Sequence, residues 1–338
     1  MRQLCFQTPS MANHDRSSRL LKIITEFSRA DIVVIGDVLL DSYVNCKALG
    51  IANEAPVPLL ELASETHVPG GAGNVAVNLA RLGVKTHLVG IRGADSEGAM
   101  LERLLEPMGV DLRLVITDAP TPHKSRFLSD SQYYLRLDEE RVHTLTAADV
   151  EALTTHLKDL VGATSAIVLS DYEKGTLSNE LYVKVLEGAR KGGVPIFADL
   201  KPGTAHGKQG FRLINPNLAE AHSLVPNSQY LDSPAELASR LSQIFHCDVL
   251  LKMSAQGLLA CKTSGEIKEL QAECVQPKNV SGGGDTVLSA ASAALAVGAD
   301  LFEAATLANH AAAIAVAHPA TYAVSRDELQ DAISRRPL

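Results

Sequence analysis

Asn279-Val-Ser-Gly-Gly-Gly-Asp-Thr286 places three consecutive glycines directly before one carboxylate, and a run of small residues with a helical pattern follows. Because glycine lacks a Cβ, this turn lets the backbone approach a ligand and leaves its N–H groups unshielded. A helix that starts here adds unpaired N–H donors and the positive end of its dipole. The pattern predicts an anion hole at Gly282, Gly283 and Gly284, with Asp285 placed to take a proton from a hydroxyl. An ordinary glycine turn capped by an aspartate is the alternative, and the turn alone favours it.

Composition excludes several classes of protein. The 338 residues are 46% hydrophobic, which is enough for one large α/β domain, and no apolar run reaches the length of a membrane span. The net charge of −8 argues against nucleic acid or an anionic membrane as a partner. Five scattered cysteines without a CxxC pair indicate reduced thiols in a cytoplasmic protein. Residues 1–18 are polar and are predicted to form a disordered tail without a signal peptide, with Met11 as a second possible start.

Short apolar or β-branched runs alternate with helical periods along the chain, which is typical of βαβ units on a mostly parallel sheet. The predicted strands lie at residues 31–36, 86–92, 165–170, 195–199, 212–214 and 248–253. The predicted helices lie at residues 73–82, 97–107, 147–160, 179–191, 234–245, 285–297 and 301–317. Two extended segments, 44–62 and 122–138, break the alternation and are predicted to form a small second sheet over one edge of the domain.

Polar residues follow four of the predicted strands, at the edge where open α/β sheets bind ligands. They are Asp37 and Asp41, Asp171 and Lys174, Lys201, and Asn217 with Glu220. We expect them to face one crevice, with acids for hydroxyls and metal and lysines for phosphates. Asn217 and Glu220 lie three residues apart and would share one face if a helix begins at Leu218. An amide and a carboxylate suit a water-rich Mg²⁺ site, although the same spacing is common on any solvated helix.

A second glycine cluster, Gly70-Gly71-Ala72-Gly73-Asn74, loosely matches a dinucleotide-binding fingerprint. That fingerprint needs a strand directly before it, and residues 64–69 are polar and end in proline. We therefore predict a tight turn into a helix, with the Asn74 amide facing substrate hydroxyls. A glycine turn with an asparagine cap is the alternative.

Lys124 and Arg126 share one face of the second extended segment and are candidates for binding a phosphate, although spacing alone favours ordinary surface charge. Several histidines lack metal-ligand spacing and are predicted to be structural or on the surface: His67, His206, His222, His310 and His318. The sequence has neither G-x-S-x-G nor a Walker A lysine, which argues against a serine hydrolase or a P-loop enzyme.

Taken together, these motifs resemble the ribokinase-like (pfkB) family of carbohydrate kinases, and the resemblance runs from about Asp31 to Glu328. Its two signature regions are residues 70–83, GGAGNVAVNLARLG, and 279–290, NVSGGGDTVLSA. Within the family the chain is most similar to the heptose-7-phosphate kinases of lipopolysaccharide precursor synthesis. That similarity lies in residues 36–41, 54–58, 170–175, 215–217 and the Asp199-x-Lys201 pair.

The resemblance implies a Rossmann-like α/β kinase domain over residues 19–338, with a small β lid at about 44–62 and 122–138 that often forms a dimer interface. It implies transfer of phosphate from ATP to a sugar hydroxyl, with Asp285 as base and Gly282–Gly284 as anion hole. Asn217 and Glu220 would hold Mg²⁺. The residues implied near the nucleotide are Lys201, Lys252, Ser254, Gly257 and Asn309. Those implied for the sugar and its phosphate are Asp37, Asp41, Gly70, Gly71, Asn74, Lys124, Arg126, Asp171 and Lys174.

Departures from the family pattern favour a diverged relative. Asn279 replaces an aspartate that commonly helps to hold a monovalent cation, which argues against K⁺ activation. Lys252-Met253 replaces a Thr-Arg pair, and Gly50 replaces an arginine near the lid. In heptose enzymes of this group a nucleotidyltransferase domain can follow the kinase; because the sequence ends at Leu338, we expect a kinase unit alone. Two alternatives stay open: a kinase of another sugar or nucleoside, and a catalytically inactive sugar-binding paralogue.

Overall fold

The computed structural model describes residues 11–130, 132–205, 207–273 and 276–335. Residues 1–10 of the predicted tail lie outside these ranges, as does His206, one of the histidines predicted to be structural or on the surface. Within them, no helix combines the length and the apolar character that crossing a membrane requires.

Thirteen strands are present in the described residues, and nine of them form one sheet. In chain order they are β1 (Asp31–Gly36), β2 (Val38–Ile51), β3 (Pro58–Gly71), β4 (Lys85–Gly93), β5 (Asp111–Thr117), β6 (His123–Ser129), β7 (Gln132–Glu139), β8 (Ala166–Ser170), β9 (Ile196–Asp199), β10 (Leu213–Ile214), β11 (Asp248–Lys252), β12 (Leu258–Cys261) and β13 (Ile267–Leu270). The main sheet has the order β13-β12-β11-β10-β9-β8-β1-β4-β5. Its pairs are parallel from β11 to β5, and only the β11–β12–β13 edge is antiparallel.

Both faces of the main sheet are covered, as the unbroken apolar runs of its strands predict. In β1, Ile32 and Val34 point into one hydrophobic cluster, Val33 and Ile35 point into the other, and all four are fully buried. Burying each such side chain stabilises the fold by about 1.5–3 kcal/mol before entropy costs are counted. The mostly parallel α/β domain predicted from the sequence is therefore confirmed.

Eleven α-helices surround the sheet in the described residues. They are α1 (Met11–Thr25), α2 (Ala72–Arg81), α3 (Ser96–Leu105), α4 (Ala147–Val161), α5 (Asn179–Gly192), α6 (Pro202–Ala205), α7 (Leu218–Leu224), α8 (Pro234–Phe245), α9 (Gly283–Ala296), α10 (Leu301–Val316) and α11 (Arg326–Arg335). Every strand and helix predicted for the main domain is present, and no end differs by more than two residues. The structure adds β5, β12, β13, α1, α6 and α11.

Helix α1 contradicts part of the predicted tail, because residues 11–18 are helical and not disordered. Leu20, Ile23 and Ile24 follow the helical spacing and are buried in the core of the domain. This narrow apolar stripe is enough to dock the helix, although most of the surrounding sequence is polar. The prediction was wrong here because it weighed average polarity instead of periodicity.

The remaining four strands form a separate sheet, which we call the lid. Its order is β3-β2-β6-β7, with β2 and β6 parallel and the two outer pairs antiparallel. The chain enters the lid directly from the main sheet, since only Asp37 separates β1 from β2. The two extended segments thus pair as predicted, although β2 begins at Val38 and β3 continues to Gly71.

Candidate active site

Helix α9 begins with a turn that has no room for side chains. Its N-cap, Gly282, has φ 78° and ψ −6°, a left-handed conformation that glycine adopts without strain. A Cβ on Gly282 would lie 2.8 Å from Cγ2 of Thr321 and 2.9 Å from Nδ2 of Asn74. No side chain caps the helix. The N–H of Gly283 donates to the carbonyl oxygen of Val280 at 3.3 Å, and the next N–H groups of the first turn, with the positive end of the dipole, are left for an anion. This is the geometry that the predicted anion hole requires.

Asp285 lies in the first turn of α9 and is only 5% exposed. Its Oδ2 accepts a hydrogen bond from Nδ2 of Asn74 at 2.7 Å, and its Oδ1 accepts one from Oη of Tyr172 at 2.7 Å. Burial raises the pKa of Asp285 to about 6, although these two hydrogen bonds act in the opposite direction. A carboxylate with that pKa is mostly ionised at pH 7 and is basic enough to accept a proton from an attacking hydroxyl.

Asn74 holds Asp285 and does not face the crevice as predicted. The side chain is 4% exposed, and its Oδ1 accepts a hydrogen bond from Nδ2 of Asn78 at 3.0 Å. Oδ1 of Asn78 in turn accepts from the hydroxyl of Thr286 at 3.3 Å. Both ends of the Asn74 amide therefore take part in a ladder that joins α2 to α9, with one N–H of its Nδ2 directed to Asp285.

The second glycine cluster lets the lid cross the end of the main sheet closely. Gly71 has φ 58°, and a Cβ there would overlap the carbonyl oxygen of Asp37. A Cβ on Gly70 would lie 2.5 Å from Oδ2 of Asp41. The premise that no strand precedes this cluster is wrong, since β3 runs into Gly71. That strand belongs to the lid and not to a parallel βαβ unit, so the dinucleotide fingerprint still lacks its context.

Two carboxylates predicted to bind sugar are used by the protein's own backbone. Asp37 is 1% exposed and accepts three hydrogen bonds from N–H groups within residues 172–176. Asp171 is 2% exposed and accepts from the N–H groups of Glu173 and Lys201. Burial raises the pKa of Asp171. Both residues shape the loop after β8, and we correct their predicted role from ligand binding to loop support.

The charged residues predicted on the lid lie together in ion pairs. Arg126 donates to Oδ1 of Asp41 at 2.5 Å, and both side chains are nearly buried. Glu140 accepts from Nζ of Lys124 at 2.7 Å and from Nζ of Lys174 at 2.6 Å. Glu140 thus links a lid strand to the loop after β8, and it was not selected from the sequence.

A second set of alternating charges crosses the ends of β9, β10 and β11. Nζ of Lys252 pairs with Asp199, and Nζ of Lys201 pairs with Glu220. Burial acts to raise the pKa of Glu220, but the neighbouring lysines and the backbone of Asn217 hold it below its usual value. Helix α7 begins at Leu218, the start that the Mg²⁺ interpretation required, because Asn217 and Glu220 form a reciprocal capping box at 2.8 and 2.9 Å.

A cavity of about 410 Å³ opens beside the first turn of α9, within the size range of small-molecule sites. Four of the residues implied for the nucleotide line it: Lys252, Ser254, Gly257 and Asn309. Gly283 and Gly284 form one end, and much of the remaining wall is apolar, including Val280, Val287, Ala312, Ala313 and Val316. Such a wall suits a flat heterocycle, with the charged end of the ligand directed to the glycines.

Comparison of the sequence with known protein families gives one match. The profile of the pfkB family carbohydrate kinases matches residues 29–328. The chain belongs to this family. Two curated relatives are proteins named bifunctional protein HldE. The one from Azorhizobium caulinodans is 37% identical over 319 residues, covering 93% of this chain and 66% of the relative. The one from Haemophilus influenzae is 36% identical over 314 residues, covering 92% and 65%. The chain thus spans slightly less than two thirds of their length.

Solved structures of pfkB-type folds superpose on almost the whole chain. Arabidopsis thaliana ribokinase complexed with ribose and ATP has a TM-score of 0.67 at 19% identity, covering 90% of this chain and 98% of that one. Escherichia coli phosphofructokinase-2 in complex with substrates and products has a TM-score of 0.77 at 20% identity, covering 90% and 99%. The predicted ribokinase-like fold is therefore confirmed.

The pfkB family implies Mg²⁺, and the described residues offer a sparse donor set for it. They contain no cluster of three or more His, Cys, Asp or Glu able to hold a metal. Magnesium usually keeps several waters and takes one or two carboxylates besides the phosphates. Two carboxylates are candidates: Asp199, which pairs with Lys252 of the cavity wall, and Glu220, which pairs with Lys201. Asn217 fits less well than predicted, because its Oδ1 already caps α7.

Asn279 stands where the resemblance predicts an aspartate that helps to hold a monovalent cation. Asn279 is 6% exposed, its Nδ2 donates to Oη of Tyr43 at 3.2 Å, and its Oδ1 accepts from the N–H of Ser281. Oη of Tyr43 also contacts Oγ1 of Thr321 at 2.8 Å. The side chain is neutral and points an N–H group at the lid, so it does not fit the role of a cation-binding carboxylate.

Proposed function

We propose that this chain transfers the γ-phosphoryl group of ATP to the anomeric hydroxyl of D-glycero-D-manno-heptose 7-phosphate, giving the 1,7-bisphosphate and ADP. One observation supports phosphoryl transfer to a hydroxyl as the type of reaction. A buried carboxylate, Asp285, whose pKa is raised to about 6, lies at the uncapped start of α9 beside the cavity that the implied nucleotide residues line. A base and an anion-binding turn on adjoining residues are what phosphoryl transfer to a hydroxyl needs.

In this mechanism Asp285 accepts the proton of the sugar hydroxyl while the oxygen attacks the γ-phosphorus in line. The bond between the γ-phosphorus and the bridging oxygen breaks, and its electrons leave with ADP. The transition state is loose, so positioning and charge stabilisation supply most of the rate. The N–H groups at the start of α9 face the transferred group, and Lys252 adds positive charge beside Gly284. Magnesium, when bound, neutralises phosphate charge.

The choice of sugar rests on the motifs shared with heptose-7-phosphate kinases, on the HldE relatives, and on the cations of the lid. Lys124 and Lys174 pair with Glu140, and Arg126 pairs with Asp41. A bound substrate phosphate would replace Glu140 and Asp41 as the negatively charged partner of these lysine and arginine side chains.

The double variant Lys124→Glu, Arg126→Glu tests this choice of substrate. It should raise KM for the sugar phosphate at least tenfold and leave KM for a neutral sugar unchanged. The matched control is Lys184→Glu, which reverses a charge on α5, far along the chain from the lid.

The reaction is tested by coupled ADP release with Mg·ATP over a panel of sugars and sugar phosphates. Turnover confined to heptose 7-phosphate supports the proposal, and Asp285→Asn should lower kcat by roughly 10²–10⁴ with little effect on the fold. Turnover on another sugar or a nucleoside would keep the mechanism and replace the substrate. Ligand-induced thermal stabilisation without turnover would instead favour an inactive sugar-binding protein.

We also propose that two copies pair through their lids, in the cytoplasm, where ATP and reduced thiols are available. Leu135 and Leu137 alternate onto one face of β7 and are 55% and 47% exposed. Contiguous exposed apolar surface of this kind marks an interaction site. Light scattering should report a dimer for the natural chain and a monomer for Leu135→Glu, Leu137→Glu. Tyr230→Glu, which changes a 77% exposed side chain outside the lid, should stay dimeric.

A further inference from the structure

The phenol of Tyr172 contacts the proposed base directly. Its Oη donates to Oδ1 of Asp285 at 2.7 Å, while Asn74 donates to Oδ2 at the same distance. Each oxygen of the carboxylate thus receives one fixed donor and keeps one lone pair for a substrate hydroxyl. We propose that Tyr172 is a positioning residue of phosphoryl transfer, whose phenol proton orients Asp285 and keeps that carboxylate ionised at neutral pH. This inference rests on the proposed kinase function.

The loop that carries Tyr172 is held too firmly for this contact to be incidental. Asp37 accepts hydrogen bonds from the N–H groups of Tyr172 at 2.8 Å, Lys174 at 2.9 Å and Thr176 at 3.0 Å. Glu173 has φ 56°, a left-handed conformation that costs energy for a residue with a Cβ. A loop that keeps such a residue in place is determined by its surroundings, and here the result is a phenol aimed at the base.

The phenol of Tyr172 favours the ionised form of Asp285 against the effect of its surroundings. Asp285 is buried and lies near the negative charge of Asp199, and both effects favour its protonated form, in which it cannot act as a base. The hydrogen bonds from Asn74 and Tyr172 favour the ionised form, and the positive charge of Lys252 acts in the same direction. Burial and the charge of Asp285 raise the pKa of Tyr172, so the phenol keeps its proton and remains a donor. Nζ of Lys201 lies 5.4 Å from the centre of its ring and further fixes the side chain.

Tyr172→Phe removes the donor and keeps the ring. The expected result is a rise of about one pH unit in the acid limb of kcat/KM, the change that losing one hydrogen bond to a charged group brings. The plateau at high pH should fall roughly tenfold through looser orientation of the base.

Tyr182→Phe is the matched control. Its Oη donates to the carbonyl of Gln209 at 2.6 Å, and the residue is 5% exposed on α5. It therefore loses one buried phenol hydrogen bond without touching Asp285. Its melting temperature should fall, and its pH profile should keep the shape of the natural chain.

A ¹³C-NMR titration of the Asp285 carboxyl, assigned by its absence from Asp285→Asn, provides a readout that is independent of turnover. Its pKa should rise by about one unit in Tyr172→Phe and stay unchanged in Tyr182→Phe. An unchanged carboxyl pKa in Tyr172→Phe would overturn the inference even if the chain is an active kinase. A shifted carboxyl pKa with an unshifted kcat/KM profile would overturn the positioning role. If the natural chain turns over no substrate, the proposed function fails, and the titration still decides whether Tyr172 controls Asp285.

Discussion

Gly282→Ala places one added carbon where the structure has no space for it. The Cβ would lie 2.8 Å from Cγ2 of Thr321 and 2.9 Å from Nδ2 of Asn74, whereas carbon contacts are comfortable at about 3.5–4.0 Å. To relieve the contact, the Asn74 amide must move by roughly half an ångström, given that spacing. The same amide donates to Oδ2 of Asp285, so the movement is passed directly to the base.

Gly282→Ala is expected to affect both stability and kcat, and a control variant can separate the two effects. An alanine in the left-handed conformation costs about 1–2 kcal/mol whatever its surroundings. Gly109→Ala carries this cost alone, because Gly109 has φ 74° and a Cβ there meets nothing within 4 Å. Both variants should therefore lose about 1–2 kcal/mol of unfolding free energy and several degrees of melting temperature. Only Gly282→Ala should also lose kcat, by roughly 10–100-fold, since small displacements at a reacting group are costly.

Two measurements on the same samples test this reasoning: melting temperature by differential scanning fluorimetry, and kcat by ADP release at saturating substrates. The expected result is a similar drop in melting temperature for both variants and a loss of kcat in Gly282→Ala alone. If Gly282→Ala turns over at the rate of the natural chain, the close contact with Asn74 does not control the base, and the reasoning is refuted.

Three further outcomes are expected. Because the pKa of Asp285 is raised to about 6, and only the ionised form can accept a proton, kcat/KM should fall about tenfold per unit below pH 6 and level off above pH 7; a profile that stays flat to pH 5 would exclude Asp285 as the base. Gly257→Ala should raise KM for ATP roughly tenfold, because its Cβ would overlap the carbonyl oxygen of Leu270 and push this segment out of the cavity wall. Initial rates over an ATP series measure KM, and an unchanged value would contradict the prediction. Turnover of the natural chain should be equal in K⁺ and in a large organic cation, whereas Asn279→Asp should become K⁺-dependent; stimulation of the natural chain by K⁺ would show that Asn279 does not prevent activation.

Much of the fold is readable from the sequence, because the residues that determine each element are adjacent in the chain. The run Ile32–Ile35 is buried on both faces of the sheet, so its four apolar side chains identify a central parallel strand without reference to any other element. Elements with partial exposure were harder to predict. Strand β5 lies at an edge of the sheet and is only partly buried. Helix α1 packs a narrow stripe of apolar side chains against the core, and the rest of its sequence is polar.

The start of α9 and the residues around the cavity were also predicted from the sequence. Three glycines before an aspartate predict a tight turn by their own chemistry, and the structure places Asp285 in the first turn of α9. Lys252, Ser254, Gly257 and Asn309 were assigned through resemblance to a family, and they line one cavity.

The partner of each polar side chain was decided only by the tertiary structure. Asn74 and Asp285 are 211 residues apart, and Asp37 and Tyr172 are 135 apart, so no local pattern shows that these groups meet. Asn74, Asp37 and Asp171 look like ligands in the sequence because polar residues at strand ends often are, but packing gives them protein partners first. Tyr172 stood inside a selected motif and was overlooked, since spacing does not tell which side chain of a loop turns inward. Local sequence determines which groups are available, and the packing of distant elements determines which of them remain free to meet a substrate.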